Sequence, residues 1–482
     1  MKKTIAYLLL SFALVGTFSC ETDSFLEGPS PTDEIAEVTP QLALVGMYSA
    51  YRDFYGGSHD VATSKSFYLG ADVMGRDLQV PDFNWYIFEH RWDVVESAQA
   101  RRSYYSWEMN YKLILHANQV LFTCDDNPSG NSTAVLNNYR GQALAMRANA
   151  YYNLIRTFQF TYAKNPSLPG VPIDLTIEDA NHKPRGTVQQ VYDQMYVDMN
   201  NAISLLESAN LTRTPAHKYR VDVNVAKGLF ARIALERQDW PLAASLASQA
   251  RQGYNLMSNS DYVAGFNDFG NAEWMWGFPF INTESWGFAS FYSFIDHERG
   301  DGYKDIYVNS SFYNLFSATD IRRSLIVPGS AQPGKQWVTR KFRDLPDLSG
   351  HMVMMRASEM YLIEAEALAY SNLPTAKQVL LQLAQQRDPN ATLSSASTAA
   401  AFVEEVLVER RKELYGELGT DFFDMKRYQK DMLRTGNAVW APVGTALGTA
   451  LPATSNKWNL LIPQEELDLN DALGPQDQNP LD

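Results

Sequence analysis

The stretch Val223-Asn224-Val225-Ala226-Lys227-Gly228-Leu229-Phe230-Ala231-Arg232-Ile233-Ala234-Leu235-Glu236 leads through Arg237–Trp240 into a second run from Pro241 to Arg251. Small residues recur along both runs: Ala226, Gly228, Ala231 and Ala234, then Ala243, Ala244, Ala247 and Ala250. Side chains of that size let two helices approach closely, and Pro241 sits at the start of its run, where a missing N–H costs little. The stretch therefore predicts a helical hairpin. A second is predicted from Arg356 to Tyr370, with a turn at Ser371–Pro374 and a return to Gln386; Ala365, Ala367, Ala369, Ala376 and Ala384 are its small residues. Pairs of this length match the tetratricopeptide unit of about 34 residues. No strict period spans the chain. The expected fold is mostly α: tetratricopeptide-like hairpins forming a scaffold, with long irregular loops rather than a regular solenoid.

Working outward, Leu136, Tyr139, Ala143, Met146, Ala150, Leu154 and Phe158 step by three or four, an amphipathic stripe. Pro166, Pro169, Gly170 and Pro172 end it. Thr187-Val188-Gln189-Gln190 reads as a capping box, followed by a stripe of Val188, Val191, Met195, Met199, Ala202 and Leu206. Near the C-terminal end, Glu404, Glu405 and Glu409-Arg410-Arg411-Lys412-Glu413 lie on a helix whose apolar side is Phe402, Val403, Val406 and Leu414. Pairs such as Glu409 with Lys412 and Arg410 with Glu413 are helix neighbours, so this reads as a salt-bridged helix with no ligand role.

Two stretches break the helical pattern. Residues 254–350 are dominated by Gly, Pro, Asn and aromatics, including Trp274-Met275-Trp276-Gly277-Phe278-Pro279-Phe280, then Trp286, Phe288, Phe291 and Tyr292. Residues 56–93 carry Asp72, Arg76, Asp82, Asn84, Trp85 and Tyr86. Long irregular segments inside a helical protein are usually functional. Flat rings flanked by Asn, Asp and Arg suit sugar faces and their hydroxyls, and a peptide could use the same rings as apolar anchors. For any single ring, packing in the interior is the default.

The first 19 residues read as an export signal: Lys2 and Lys3, an apolar run from Ile5 to Val15, and a small Ser19 before Cys20. Cys20 then reads as a lipidated first residue, although Thr17 stands where a strict lipobox prefers Leu. Residues 20–40, with Gly28, Pro29, Pro31 and Pro40, read as a tether. The other cysteine, Cys124, is expected to be a small buried hydrophobe. A net charge of −14 argues against nucleic acid and against a polybasic membrane-docking surface. Motifs for a zinc hydrolase, a nucleophile elbow, a phosphate loop or a redox dithiol are missing. No two of His59, His90, His116, His182, His217, His297 and His351 stand four apart as a helical metal pair would. The chain is therefore expected to be a binding protein, not an enzyme; no cofactor is named, no residue is chosen as a metal ligand, and whether a metal ion is bound stays open.

In order, the chain shows Cys20 with Phe25-Leu26; Tyr111 to Leu121; Gly141 to Thr157 with Arg147-Ala148-Asn149-Ala150-Tyr151-Tyr152; Pro169-Gly170-Val171-Pro172-Ile173; and Thr187 to Leu206. Arg356 to Leu368, Glu409 to Leu414 with Phe423-Asp424-Met425-Lys426-Arg427, and Leu461 to Leu467 with Asn470 follow. This ordered set resembles the SusD/RagB family of Bacteroidetes outer-membrane lipoproteins, with one departure at Leu418–Phe423, where a local loop difference is expected. The resemblance implies a helical scaffold at the cell exterior, with an N-terminal region at 41–270 and a C-terminal region at 271–482 forming one unit. It implies no catalysis. It implies capture of oligosaccharide, or alternatively of peptide, for a TonB-dependent, SusC-like outer-membrane transporter. Family ligand contacts vary, so the candidate site is chosen by position: Asp72, Arg76, Asn84, Trp85, Tyr86, Trp276, Trp286 and Trp337.

Overall fold

The long helices start and stop where local chemistry allows. Ser132, Asp222, Asp239, Asn372 and Thr398 each accept a backbone N–H of the first turn, and Thr187 with Gln190 forms the expected capping box. Asn127, Asn210 and Gln238 end their helices in the left-handed region. The computed structural model describes residues 38–53, 55, 57–438 and 450–482. The export signal, Cys20 and most of the tether lie outside them.

Eleven helices of eight residues or more are present among the described residues: α1 (Pro40–Ala50), α2 (Thr63–Met74), α3 (Arg101–Asp126), α4 (Thr133–Phe158), α5 (Val188–Ala209), α6 (Val223–Arg237), α7 (Trp240–Ala250), α8 (Ala357–Leu368), α9 (Leu373–Arg387), α10 (Ala399–Leu414) and α11 (Thr420–Arg427). Neighbours pack in sequence: α3 on α4, α4 on α5, α5 on α6, α6 on α7, α7 on α8, and α8 on α9 and α10, while α1 lies on α3. The two predicted hairpins are α6–α7 and α8–α9, and Trp240 stacks on Tyr370 between them at 4.2 Å. Every member of the predicted stripe on α5 is buried, as is Cys124. Small residues set the spacing. A Cβ on Gly141 of α4 would stand 3.0 Å from the Ala202 carbonyl oxygen of α5 and 2.7 Å from Leu206.

The described residues form two hydrophobic cores. The larger fills the helical scaffold. The second is built from Leu69, Val73, Tyr86, Ile87, Tyr262, Phe266, Trp274, Phe291, Tyr292, Phe294, Phe312 and Phe342, among others. Most of its rings come from the irregular residues 254–350, so these loops carry their own interior. Short antiparallel pairs stitch them together: Trp274–Phe278 with Met352–Arg356, Leu78–Gln79 with Tyr307–Val308, and Ile326–Pro328 with Trp337–Thr339.

The charged run on α10 corrects the sequence reading. Glu409 does pair with Lys412, at 2.6 Å. Arg410, however, reaches Asp424 of α11 at 2.8 Å, and Glu413 is fully buried among Arg322, Arg356 and Arg387 at 3.0, 2.9 and 3.1 Å. Glu273 accepts from Arg356 and Arg387, and Glu417 from Arg356 and Lys341. This side of α10 faces the junction of the two cores, not water, so its charges find tertiary partners. Burial alone would raise the Glu417 carboxyl, but Arg356 and Lys341 outweigh it and hold it at about 2.

Two predictions follow from this packing. Gly141→Val forces α4 and α5 apart against a backbone carbonyl that cannot yield, and lowers unfolding free energy by about 1–3 kcal/mol in urea titrations. A carboxyl whose folded pKa lies below its unfolded value gives stability that is complete above the unfolded value and lost as pH falls through the folded one. The stability gap between the native chain and Glu417→Gln is therefore full above pH ~4.5 and narrows towards pH 2. A gap independent of pH between 5 and 2 contradicts this account.

Candidate functional site

The turn before the short helix Ile87–His90 carries the leading candidate ring. Asn84 Oδ1 accepts the Trp85 backbone N–H at 2.9 Å, and Tyr86 adopts a left-handed conformation (φ 63°), which together turn Trp85 outward while Tyr86 enters the second core. Trp85 is partly exposed and stacks on His59, with centroids 5.4 Å apart and planes 22° apart. Tyr303 meets Trp85 edge-on at 5.8 Å and shares a 2.7 Å hydrogen bond with His59 Nδ1. The Arg101 guanidinium lies 5.4 Å from the Trp85 ring and is held by a bidentate pair with the buried Asp60 at 2.7 and 3.0 Å.

The row continues beyond Tyr303. Phe288, 46% exposed, contacts Tyr303 at 5.8 Å, and Trp286, 37% exposed, lies two residues away in sequence. The Trp286 indole N–H donates to the Arg52 carbonyl at 3.0 Å, while the Arg52 guanidinium pairs with Glu284 and covers Phe280 at 4.5 Å. A cleft of about 420 Å³ opens beside Trp286, lined by Arg52, Asp53, Phe280 and Glu284. From beneath, Tyr303 stacks on Phe294 of the second core at 5.3 Å. The result is a ribbon of rings from Trp85 through His59, Tyr303 and Phe288 to Trp286, edged by Arg101, Asp53 and Glu284.

Five sequence-chosen residues lie elsewhere because packing claimed them. Trp276 is fully buried in the scaffold core, its indole N–H donating to the Tyr219 carbonyl at 2.7 Å. Tyr86 lies in the second core, edge-on to Phe294. Asp72 is buried and accepts the Gly419 N–H at 3.1 Å; burial pushes its carboxyl up to about 7. Arg76 pairs with Asp421 at 2.5 Å, so Asp72 and Arg76 together fasten the start of α11. Trp337 stacks on Tyr313 at 4.1 Å, in a different ring group from the ribbon. Sequence reasoning missed His59, Arg101 and Tyr303. Only Tyr303, in Gly300-Asp301-Gly302-Tyr303, carries a local signal, an aromatic set in a turn.

Among the described residues no group of three or more His, Cys, Asp or Glu is placed to hold a metal ion, and no helix is long and apolar enough to cross a membrane. Two family models match the sequence: one described as starch-binding and associating with the outer membrane over residues 35–235, the other as the SusD family over 335–481. The chain belongs to the SusD/RagB family. Solved SusD-like structures superpose along nearly the whole chain. A SusD-like carbohydrate binding protein from Bacteroides vulgatus is 26% identical, with a TM-score of 0.82 over 92% of this chain and 98% of its own. A SusD superfamily protein from Bacteroides thetaiotaomicron is 25% identical, with a TM-score of 0.77 over 92% and 99%. Surface glycan-binding protein A from Bacteroides fluxus shares the fold at 18% identity, with a TM-score of 0.71 over 92% and 99%. No curated protein sequence matches. The SusD fold accounts for the helical row, and the ribbon is what this chain displays on its loops.

Proposed function

We propose that this SusD-like protein captures oligosaccharide at the cell exterior and passes it to a TonB-dependent, SusC-like outer-membrane transporter, anchored through lipid on Cys20. The observation that carries the reading is the ribbon itself: exposed and half-exposed rings from Trp85 to Trp286, braced from behind by ion pairs and by a second core. Rings held in one orientation present flat apolar faces to sugar C–H groups at little conformational cost. Arg101, Asp53 and Glu284 at the edges offer charged hydrogen-bonding partners to hydroxyls, which makes a poorly matched ligand leave polar groups unpaired. The resemblance to a carbohydrate binding protein of Bacteroides vulgatus and a glycan-binding one of Bacteroides fluxus supports glycan over other ligand classes.

Isothermal titration of the full-length protein in detergent against a panel of glycans and peptides tests this. One glycan class binds saturably; Trp85→Ala weakens it at least tenfold, equivalent to about 1.4 kcal/mol, and Trp286→Ala weakens it further. Trp337→Ala, outside the ribbon, leaves affinity within about twofold, a difference worth about 0.4 kcal/mol. Full glycan affinity in a Trp85→Ala, Trp286→Ala double variant rejects the site, and binding of peptides alone replaces the ligand class.

A further inference from the structure

Helix α3 contributes to a second cleft that the ribbon does not use. The cleft lies between α3, the segment 174–181 and the short helix Gln464–Leu469, and has a volume of about 330 Å³. Trp107, Tyr111, Glu108, Asp174, Glu465 and Glu466 line it. The rings of Trp107 and Tyr111 stand 4.8 Å apart, tilted by 34°. Glu466 is fixed in place, accepting from the Trp107 indole N–H at 3.1 Å and from Asn470 at 2.8 Å.

Asp174 is the unusual member. Its backbone is pinned by the Tyr151 hydroxyl, which accepts its N–H at 2.7 Å and donates to its carbonyl at 2.9 Å. Asp174 is only 6% exposed, yet its Oδ1 accepts no hydrogen bond from the protein. The basic side chains nearby have other partners: Lys112 pairs with Asp53 at 2.5 Å, Lys183 with Asp179 at 3.0 Å, and His182 Nδ1 lies 2.9 Å from Asp471. Four carboxyls therefore face the cleft, and its own lysine is turned to another acid. Burial, with Asp179 and Glu466 adding to it, pushes Asp174 up to about 7 against the weaker pull of Lys183 and His182.

A buried carboxyl oxygen without a donor is costly, and a group bearing N–H bonds and positive charge relieves both the missing hydrogen bond and the excess negative charge. Trp107 and Tyr111 form part of the cleft wall. The mouth is apolar, with Leu115 39% and Leu469 62% exposed. A quaternary ammonium has no N–H to give Asp174, an anion meets four carboxyls, and a neutral sugar can supply the hydrogen bond but not the opposite charge. We infer that this cleft binds a primary alkylammonium group, its N–H bonds directed at Asp174 and Glu466 and its alkyl stem lying on Leu115 and Leu469. The stem and charge are those of a free alkylamine or of a lysine side chain.

Calorimetric titration of the full-length protein in detergent separates these sources with three probes: n-butylamine, Nα-acetyl-lysine methylamide, and the norleucine counterpart that keeps the stem without the charge. One equivalent of amine binds and the norleucine compound does not. Tighter binding of the lysine compound identifies a side chain as the source, and binding of butylamine alone identifies a free amine. Asp174→Asn, nearly isosteric, weakens the amine at least tenfold while glycan affinity at the ribbon is unchanged, which also shows that the variant is folded. Leu469→Ala, on the exposed rim, weakens it about two- to fivefold, a loss of about 0.4–1 kcal/mol. Failure of both amines to bind, equal binding of the norleucine compound, or undiminished amine affinity in Asp174→Asn overturns the inference and leaves the glycan reading untouched.

Discussion

The position of nearly everything else depends on where Glu413 finds its partners. It sits at the end of α10 with no exposure and receives Arg322 from the irregular segment, Arg356 from the junction of a strand with α8, and Arg387 from the end of α9. Those three guanidinium groups are equally buried, and Glu273, Glu409, Glu417 and Asp320 complete their balance. Such a network is not a large source of net stability, because every charge has lost its hydration. Its effect is to make wrong arrangements expensive: displacing one member strands a charge in a dry interior, at a cost of about 3–5 kcal/mol. Helical scaffold and aromatic loops meet at this point, where each buried guanidinium has a carboxylate partner.

That constraint explains what could be read from the sequence and what could not. The helices were legible because their causes are local. Stripes on α4 and α5, the Thr187 capping box and the small residues of α6 and α7 all act within a few residues of themselves. The charged run on α10 was misread for the opposite reason. Helical spacing proposes Arg410 with Glu413, whereas Arg410 finds Asp424 and Glu413 finds residues 26, 57 and 91 positions away. Nothing in the spacing of a charge run distinguishes a wet face from a buried junction.

The candidate site divides along the same line. Asn84 and Trp85 were chosen by their position in an irregular loop, and the fold leaves both partly exposed. Trp276 and Tyr86 were indistinguishable from them by composition, yet a five-residue strand and a left-handed turn direct their rings inward. His59 and Tyr303, 244 residues apart, come together only in the fold. The acidic cleft was invisible for the same reason, since α3, the 174–181 segment and the C-terminal helix are far apart along the chain.

The second core has a consequence for how this family of surfaces diversifies. Tyr303 belongs to both layers, stacked on Phe294 below and touching His59, Trp85 and Phe288 above. Apart from Tyr303, the outer rings rest on an interior that does not include them, so replacing one leaves undisturbed the charges that register the loops against the helices. The outer face and the packing beneath it can therefore vary independently of each other.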